Sequence, residues 1–291
     1  MKELIIHAGS PKTGSSYLQK VFRSDSKNLN KAGVIYPGVD LQNRKFIPES
    51  NVDINGQLFC HVFRRLNNGD LYSVRGEIIE LFKSLISLDS HKVFVSDESL
   101  GVMNPLIWDM FSEISSSLGV KLVVFSYYRQ PDTYYPSHWS QVVRRHGEAR
   151  SLIDFSKEMN LPTWRNMLHT KKAVGECFLF SYESEKCSVN GLEESAYKVI
   201  GAPLPLRGES PKQEIVNPAL SLQALTAIRM INEVYGAELG LHLNELLTSK
   251  VANDRGLRAA LPGEVKNMLL KRHALEIAAC DEIYQNQCTI F

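Results

Sequence analysis

Residues 7–16 read HAGSPKTGSS and begin within the apolar run ELIIHA, residues 3–8. Gly9 and Gly14 have the spacing of GxxxxGK[ST], the loop that cradles nucleotide phosphates between a strand and a helix. Ser15 stands where that pattern requires lysine, and the one lysine of the stretch is Lys12, inside the loop. Two glycines after a strand permit a tight turn whose backbone N–H groups converge, and a helix beginning at Ser15 adds its positive end. The stretch therefore reads as an anion cradle with a displaced cation. A lysine within the loop suits a bridging oxygen that gains charge as a group departs from the cradled phosphate.

Outward from this loop, short apolar runs alternate with longer segments of helical period, the pattern of a parallel sheet covered by helices. Strands are expected at 4–9, 92–97, 120–129 and 177–183, and helices at 15–28, 73–87, 105–118, 133–147, 151–159 and 191–200. Residues 37–70 are polar and weakly periodic and read as an insertion beside the active face. After a loop-like APLPLRGESPKQEIVNP, residues 202–218, two long helical stretches are expected near 219–248 and 262–287. The fold expected is α/β and P-loop-like: a central parallel sheet flanked by helices, in a single domain over residues 1–291 with a helical carboxyl-terminal extension near 219–291.

Composition narrows the partners. Lys and Arg number 33 against 32 Asp and Glu in 291 residues, so no global field draws the chain to nucleic acid or to an anionic membrane. An anionic ligand must be held locally. No stretch approaches the roughly 18 apolar residues of a membrane span, and MKELIIHAGS has too short an apolar run for a signal peptide. A cytoplasmic protein is the expectation. The five cysteines are far apart and form no CxxC pair, and histidines and cysteines nowhere cluster at metal-ligand spacing.

HAGSPKTGSSYLQ, residues 7–19, and VVFSYYRQPDTYYPSHW, residues 123–139, resemble the two donor-binding motifs of the sulfotransferase superfamily, in particular its bacterial carbohydrate-type members. The resemblance implies 3′-phosphoadenosine 5′-phosphosulfate (PAPS) as sulfuryl donor, no metal, and a glycan as acceptor. It assigns Lys12, Thr13, Gly14, Ser15 and Ser16 to the 5′-phosphosulfate loop. Arg129, at the end of a strand, and Ser137, eight residues later on the next helix, fall to the 3′-phosphate. Chemistry supports the second pair independently, because an arginine fork and a hydroxyl form charge-assisted hydrogen bonds with a dianion. The competing reading has Arg129 cap a strand and pair with a carboxylate. The resemblance runs more faintly to about residue 235, through SLIDFSKEM and VNPALSLQALTAIRMIN, and suggests Lys212 and Asn217 in a loop over the nucleotide.

Transfer to a hydroxyl needs a base near Lys12 at the end of a neighbouring strand. KVFVSDESL, residues 92–100, offers Glu98 first and Asp97 second, in a region where the carbohydrate-type enzymes carry a glutamate. One of these carboxylates, or Ser96, is equally suited to cap the following helix. His7 reads as a core histidine rather than a ligand contact, and His138 and His146 have no evident partner. Tyr127, Tyr128, Tyr134, Tyr135 and Trp139 read as packing, with one able to stack on adenine. Arg144, Arg145, His146 and Arg150 form either a solvated helix end or part of an acceptor groove. Arg44, Lys45, Arg64 and Arg65 could face an acidic acceptor. Two other classes share the fold: a nucleotide kinase or triphosphatase, which needs lysine at 15, and a non-catalytic nucleotide-binding module.

Overall fold

The computed structural model describes residues 1–64, 72–205, 220–250 and 256–288. Seven strands are present among them: β1 (Lys2–Ala8), β2 (Val34–Ile35), β3 (Gly38–Asp40), β4 (Lys45–Ile47), β5 (Lys92–Asp97), β6 (Val120–Tyr128) and β7 (Glu176–Ser181). Five form one parallel sheet in the order β2-β5-β1-β6-β7, and β3 and β4 pair as an antiparallel hairpin. The four strands expected from the apolar runs are β1, β5, β6 and β7. Strands buried on both faces read as continuous Val, Ile, Leu and Phe, which is why they were legible.

Helices α1 (Ser15–Ser24), α2 (Ser26–Lys31), α3 (Gln57–Arg64), α4 (Tyr72–Ile86) and α5 (Leu106–Ser117) cover the first half of the sheet sequence. The later helices are α6 (Pro131–His146), α7 (Leu152–Glu158), α8 (Thr163–Ala173), α9 (Tyr182–Lys186), α10 (Leu192–Ile200), α11 (Leu222–Tyr235), α12 (Ala237–Lys250), α13 (Gly263–Arg272) and α14 (Ala274–Cys288). The chain divides into two compact units. The first comprises the described residues of 1–128, 162–213 and 278–291, and the second those of 129–161 and 214–277.

The first unit buries two aromatic clusters. Phe22, Tyr36, Phe94, Phe125, Tyr127 and Tyr197 share one cluster with Leu18 and Ile5. Phe46, Phe59, Phe82 and Phe111 form the other, with ring centroids 5.1–5.8 Å apart. Rings at these separations take tilted or edge-on arrangements that add to their burial. The edge strand β7 is closed by α14: Gln287 accepts from Leu179 N at 3.0 Å and donates to Cys177 O at 3.1 Å, using backbone groups that would otherwise template another strand.

Three expectations change in detail. The helix expected over 15–28 breaks at Asp25, whose carboxylate accepts from Tyr197 Oη at 2.7 Å and from Asn28 Nδ2 at 2.8 Å. The stretch 37–70 holds a hairpin and α3 in its described part, because Phe46, Phe59 and Phe63 supply an apolar face that its polar residues mask in a sequence average. Each long carboxyl-terminal stretch is a pair of helices, divided at Gly236, with φ 90°, and at His273.

The second unit is built on α6. Arg144 donates to Asn244 Oδ1 at 2.7 Å and to Thr248 Oγ1 at 3.2 Å, while Asn232 Nδ2 donates to Val143 O at 2.9 Å and to Glu148 O at 3.1 Å. Arg272, on α13, donates to the carbonyls of Ser156, Lys157 and Met159 and so ties down the end of α7.

Candidate active site

In the sheet order β5-β1-β6 the chain reverses direction of travel around β1, and the crevice beyond the carboxyl ends of such strands is where ligands bind in open α/β sheets. Ala8 lies opposite Asp97 in the β1–β5 register, so the next residues, Gly9 and Glu98, leave the sheet side by side. Gly9 N donates to Asp97 O at 3.2 Å. A Cβ at Gly9 would stand 2.4 Å from Ser15 Oγ and 3.0 Å from the Glu98 Cα, so only glycine lets the loop lie this close to the Glu98 backbone.

The loop is stitched by one carbonyl. Ser10 O accepts from Thr13 Oγ1 at 2.7 Å and from Ser15 Oγ at 3.3 Å, and all three residues are buried. The hydroxyl hydrogens of Thr13 and Ser15 are thereby used inside the loop. Ser10 Oγ is buried with no hydrogen-bond partner among the described residues, a polar atom that the sequence did not single out. Gly14 (φ 83°) and Lys12 (φ 68°) are both left-handed, the first a natural place for glycine and the second a strained one for a side chain. Gly14 is the N-cap of helix α1, which has no side-chain cap and no acidic residue in its first turn, so its first N–H groups present the positive end of the dipole. Among the described residues no hydrogen bond engages the Ser16 hydroxyl, which is half-buried.

The two carboxylates after β5 divide their work. Asp97 is buried; its Oδ1 accepts from Ser99 N at 2.7 Å, capping the short 3₁₀ turn Glu98–Val102, and its Oδ2 accepts from Cys60 Sγ at 3.1 Å. Burial and the Asp97 charge push the Cys60 thiol up, which keeps it a donor. Glu98 opens the turn and is half-buried. Ser96 takes no part in capping: its Oγ meets His7 Nδ1 at 2.8 Å and Gln19 Nε2 at 3.3 Å, and its N–H donates to Asn55 Oδ1. His7 is fully buried and stacked on Phe125 with centroids 4.8 Å apart, and burial lowers its pKa to about 3. A histidine so held is neutral throughout the working range and serves the core.

In the second unit Arg129 is followed by Gln130, the extended N-cap of α6, and by Pro131 at its first position. Arg129 Nε donates to Thr133 Oγ1 at 3.1 Å, and that hydroxyl donates to Gln130 O at 3.1 Å. Thr133 thus holds the guanidinium by its ε nitrogen, leaving the fork's orientation fixed. Ser137 lies one turn further along the same helical face, four residues from Thr133. Thr133, which the residue types at 129 and 137 do not reveal, falls at the same four-residue spacing between them.

No family model matches the chain, and no curated protein matches it in sequence. Among solved structures it is similar to a sulfotransferase from Alicyclobacillus acidocaldarius, at 14% identity and a TM-score of 0.41, covering 83% of this chain and 96% of that one. It is also similar to retinol dehydratase in complex with androsterone and the inactive cofactor PAP, at 10% identity and a TM-score of 0.38, covering 95% of this chain and 80% of that one. Both superpositions are too loose to carry residue roles across.

The remaining candidates separate cleanly. Tyr127 donates to Leu192 O at 2.7 Å, Tyr128 to Asp281 Oδ1 at 2.6 Å and Trp139 to Arg150 O at 3.0 Å, and with Tyr134 and Tyr135 all are buried in packing roles. His138 stacks on Tyr134 at 5.7 Å. Arg150 pairs with Glu148 at 2.6 Å and Glu158 at 3.1 Å, whereas Arg145 and His146 are exposed at the end of α6. Lys212, Asn217 and Arg65 lie outside the described residues. Among the described residues no cluster of His, Cys, Asp and Glu could hold a metal ion, and no helix is long and apolar enough to cross a membrane.

Proposed function

We propose that this chain is a sulfotransferase that takes a sulfuryl group from PAPS and passes it to a hydroxyl or amine of an acceptor, with a carbohydrate as the acceptor class. One observation carries the reading: Lys12 belongs to an uncapped helix-start loop whose Gly9 abuts the backbone of Glu98. That brings an anion cradle, a cation and a carboxylate to neighbouring strand ends, the set that sulfuryl transfer requires. A kinase would need lysine at position 15. Ser15 is instead 2% exposed with its hydroxyl on Ser10 O, leaving no place for that cation.

The donor supplies the sulfuryl group and a phosphate leaving group. Glu98 takes the proton of the acceptor as its oxygen or nitrogen bonds to sulfur, a role for a positioned base. Lys12, with the N–H groups of Gly14, Ser15 and Ser16, holds the charge passing to the departing phosphate oxygen. Thr13 and Ser15 shape the loop through Ser10 O, and Ser16 is the hydroxyl left to meet the phosphate. Arg129 and Ser137 take the 3′-phosphate, with Thr133 setting the guanidinium.

A thermal-shift comparison tests the reading. Adenosine 3′,5′-bisphosphate at about 100 times its dissociation constant is expected to stabilise the native state by roughly 2.7 kcal/mol, with little change from ADP or ATP–Mg at the same concentration. Stabilisation by ATP–Mg alone overturns it in favour of the kinase class. Arg129→Ala separates the two phosphates: affinity for the bisphosphate is expected to fall about 10-fold or more, since hydrogen bonds to charged groups contribute about 1.5–3 kcal/mol, while affinity for adenosine 5′-monophosphate stays within about twofold. Calorimetry with both ligands reads the difference, and equal losses would remove Arg129 from the 3′-phosphate.

A further inference from the structure

A cavity of about 720 Å³ opens in the first unit between the β3–β4 turn, α3 and α4, within the roughly 300–1,000 Å³ range of small-molecule sites. None of its described lining residues comes from loop 9–16 or the turn 98–102, which sets it apart from the candidate active site. Leu58 and Val62 reach it from α3, Leu81 from α4 and Leu41 from the turn, giving an apolar wall. The same helix α3 sends Cys60 to Asp97 on a different face.

The charged side chains that line the cavity are two arginines and two glutamates. Glu77 stands 3.6 Å from Arg44, and Glu80 pairs with Lys83 at 2.7 Å, so both lining carboxylates have a cation beside them. Arg64 is exposed, and among the described residues no carboxylate lies within ion-pair distance of it. Arg64 is thus the lining charge with no opposite partner among the described residues.

Two backbone features point the same way. Arg44 has φ 49°, and Lys12 and Arg44 are the only non-glycine residues with positive φ among those described. A left-handed position ending a hairpin turn favours glycine or asparagine, so an arginine there is kept at a conformational cost. Gly76 lies inside α4, where alanine would be favoured, and a Cβ added to it would meet nothing within 4 Å. Gly76 is exposed and belongs to the lining, so a side chain placed there stands at the rim of the cavity.

We propose that this cavity binds a small amphipathic monoanion, an apolar chain or ring system bearing one carboxylate, with the apolar part on Leu58, Val62 and Leu81 and the carboxylate at Arg64 and Arg44. The site stands apart from sulfuryl transfer and does not depend on it. Isothermal titration with decanoate, below its micelle concentration, tests it on the full chain, with 1-decanol and decyltrimethylammonium as the neutral and cationic counterparts. Decanoate is expected to bind at one site at least 10-fold more tightly than decanol, and the cation more weakly than either. Arg64→Ala and Arg44→Gly should each weaken decanoate about 10-fold, with the Arg44→Gly melting temperature unchanged or raised. Gly76→Phe should abolish binding while circular dichroism stays native, and Gly76→Ala, which only starts to fill the space, serves should phenylalanine not fold. Lys12→Gly should leave decanoate binding unchanged. Equal binding of decanoate and decanol, native Gly76→Phe that binds as before, or loss of binding in Lys12→Gly would each overturn the site.

Discussion

Glu98→Gln is expected to lower turnover by about 10² to 10⁴ while leaving affinity for adenosine 3′,5′-bisphosphate and the melting temperature nearly unchanged. Glutamine preserves the shape of the side chain and its capacity for hydrogen bonds, but it accepts no proton. The rate profile of the parent chain should fall on the acid side as the carboxylate protonates, and the variant should lack that limb. Asp97→Asn is the control. Asp97 caps the 3₁₀ turn through Ser99 N and accepts the Cys60 thiol, so asparagine there is expected to cost about 1 kcal/mol or less of stability and to retain most activity. Radiolabelled donor with a panel of glycans and phenols identifies an acceptor first, and steady-state rates of both variants on that acceptor follow. Loss with Asp97→Asn and retention with Glu98→Gln would exchange the two assignments.

The frame of the molecule was legible where burial dictates composition. β1, β5, β6 and β7 are buried on both faces and appear in the sequence as unbroken apolar runs. β2 is two residues long and pairs only with β5, too short for any period to show. Helix α8 escaped because TWRNMLHTKKA is polar on average and buries only Thr163, Trp164, Asn166, Met167 and Thr170. At the site, residue types could be named but their division of labour could not. Asp97 and Glu98 are adjacent carboxylates, and what separates them is a thiol 37 residues away and the direction of a 3₁₀ turn. Likewise the sequence offers Thr13, Ser15 and Ser16 as equivalent hydroxyls. Only the folded loop brings the Ser10 carbonyl to two of them. Arg44 and Arg64, grouped in the sequence by charge alone, both line one cavity, whereas Lys45 of the same group does not.

Lys12→Gly carries the second large effect and separates chemistry from structure within one residue. The lysine occupies a left-handed conformation that costs an L-residue about 1–2 kcal/mol, and glycine removes that cost. Against this, glycine adds freedom to the unfolded chain and returns about 0.4–1 kcal/mol. The expected balance is a melting temperature unchanged or slightly raised. Turnover should move the other way, falling about 10²- to 10³-fold, the usual consequence of deleting one donor to a developing oxyanion. Because the charge on the bridging oxygen develops during transfer, affinity for the bisphosphate product should change much less than turnover. Differential scanning calorimetry, product titration and the labelled-donor assay read the three quantities on one preparation. A variant that melts lower and binds product poorly in proportion to its lost activity would make Lys12 a structural member of the loop. A stable variant that binds product and scarcely turns over assigns the strained cation to the reaction.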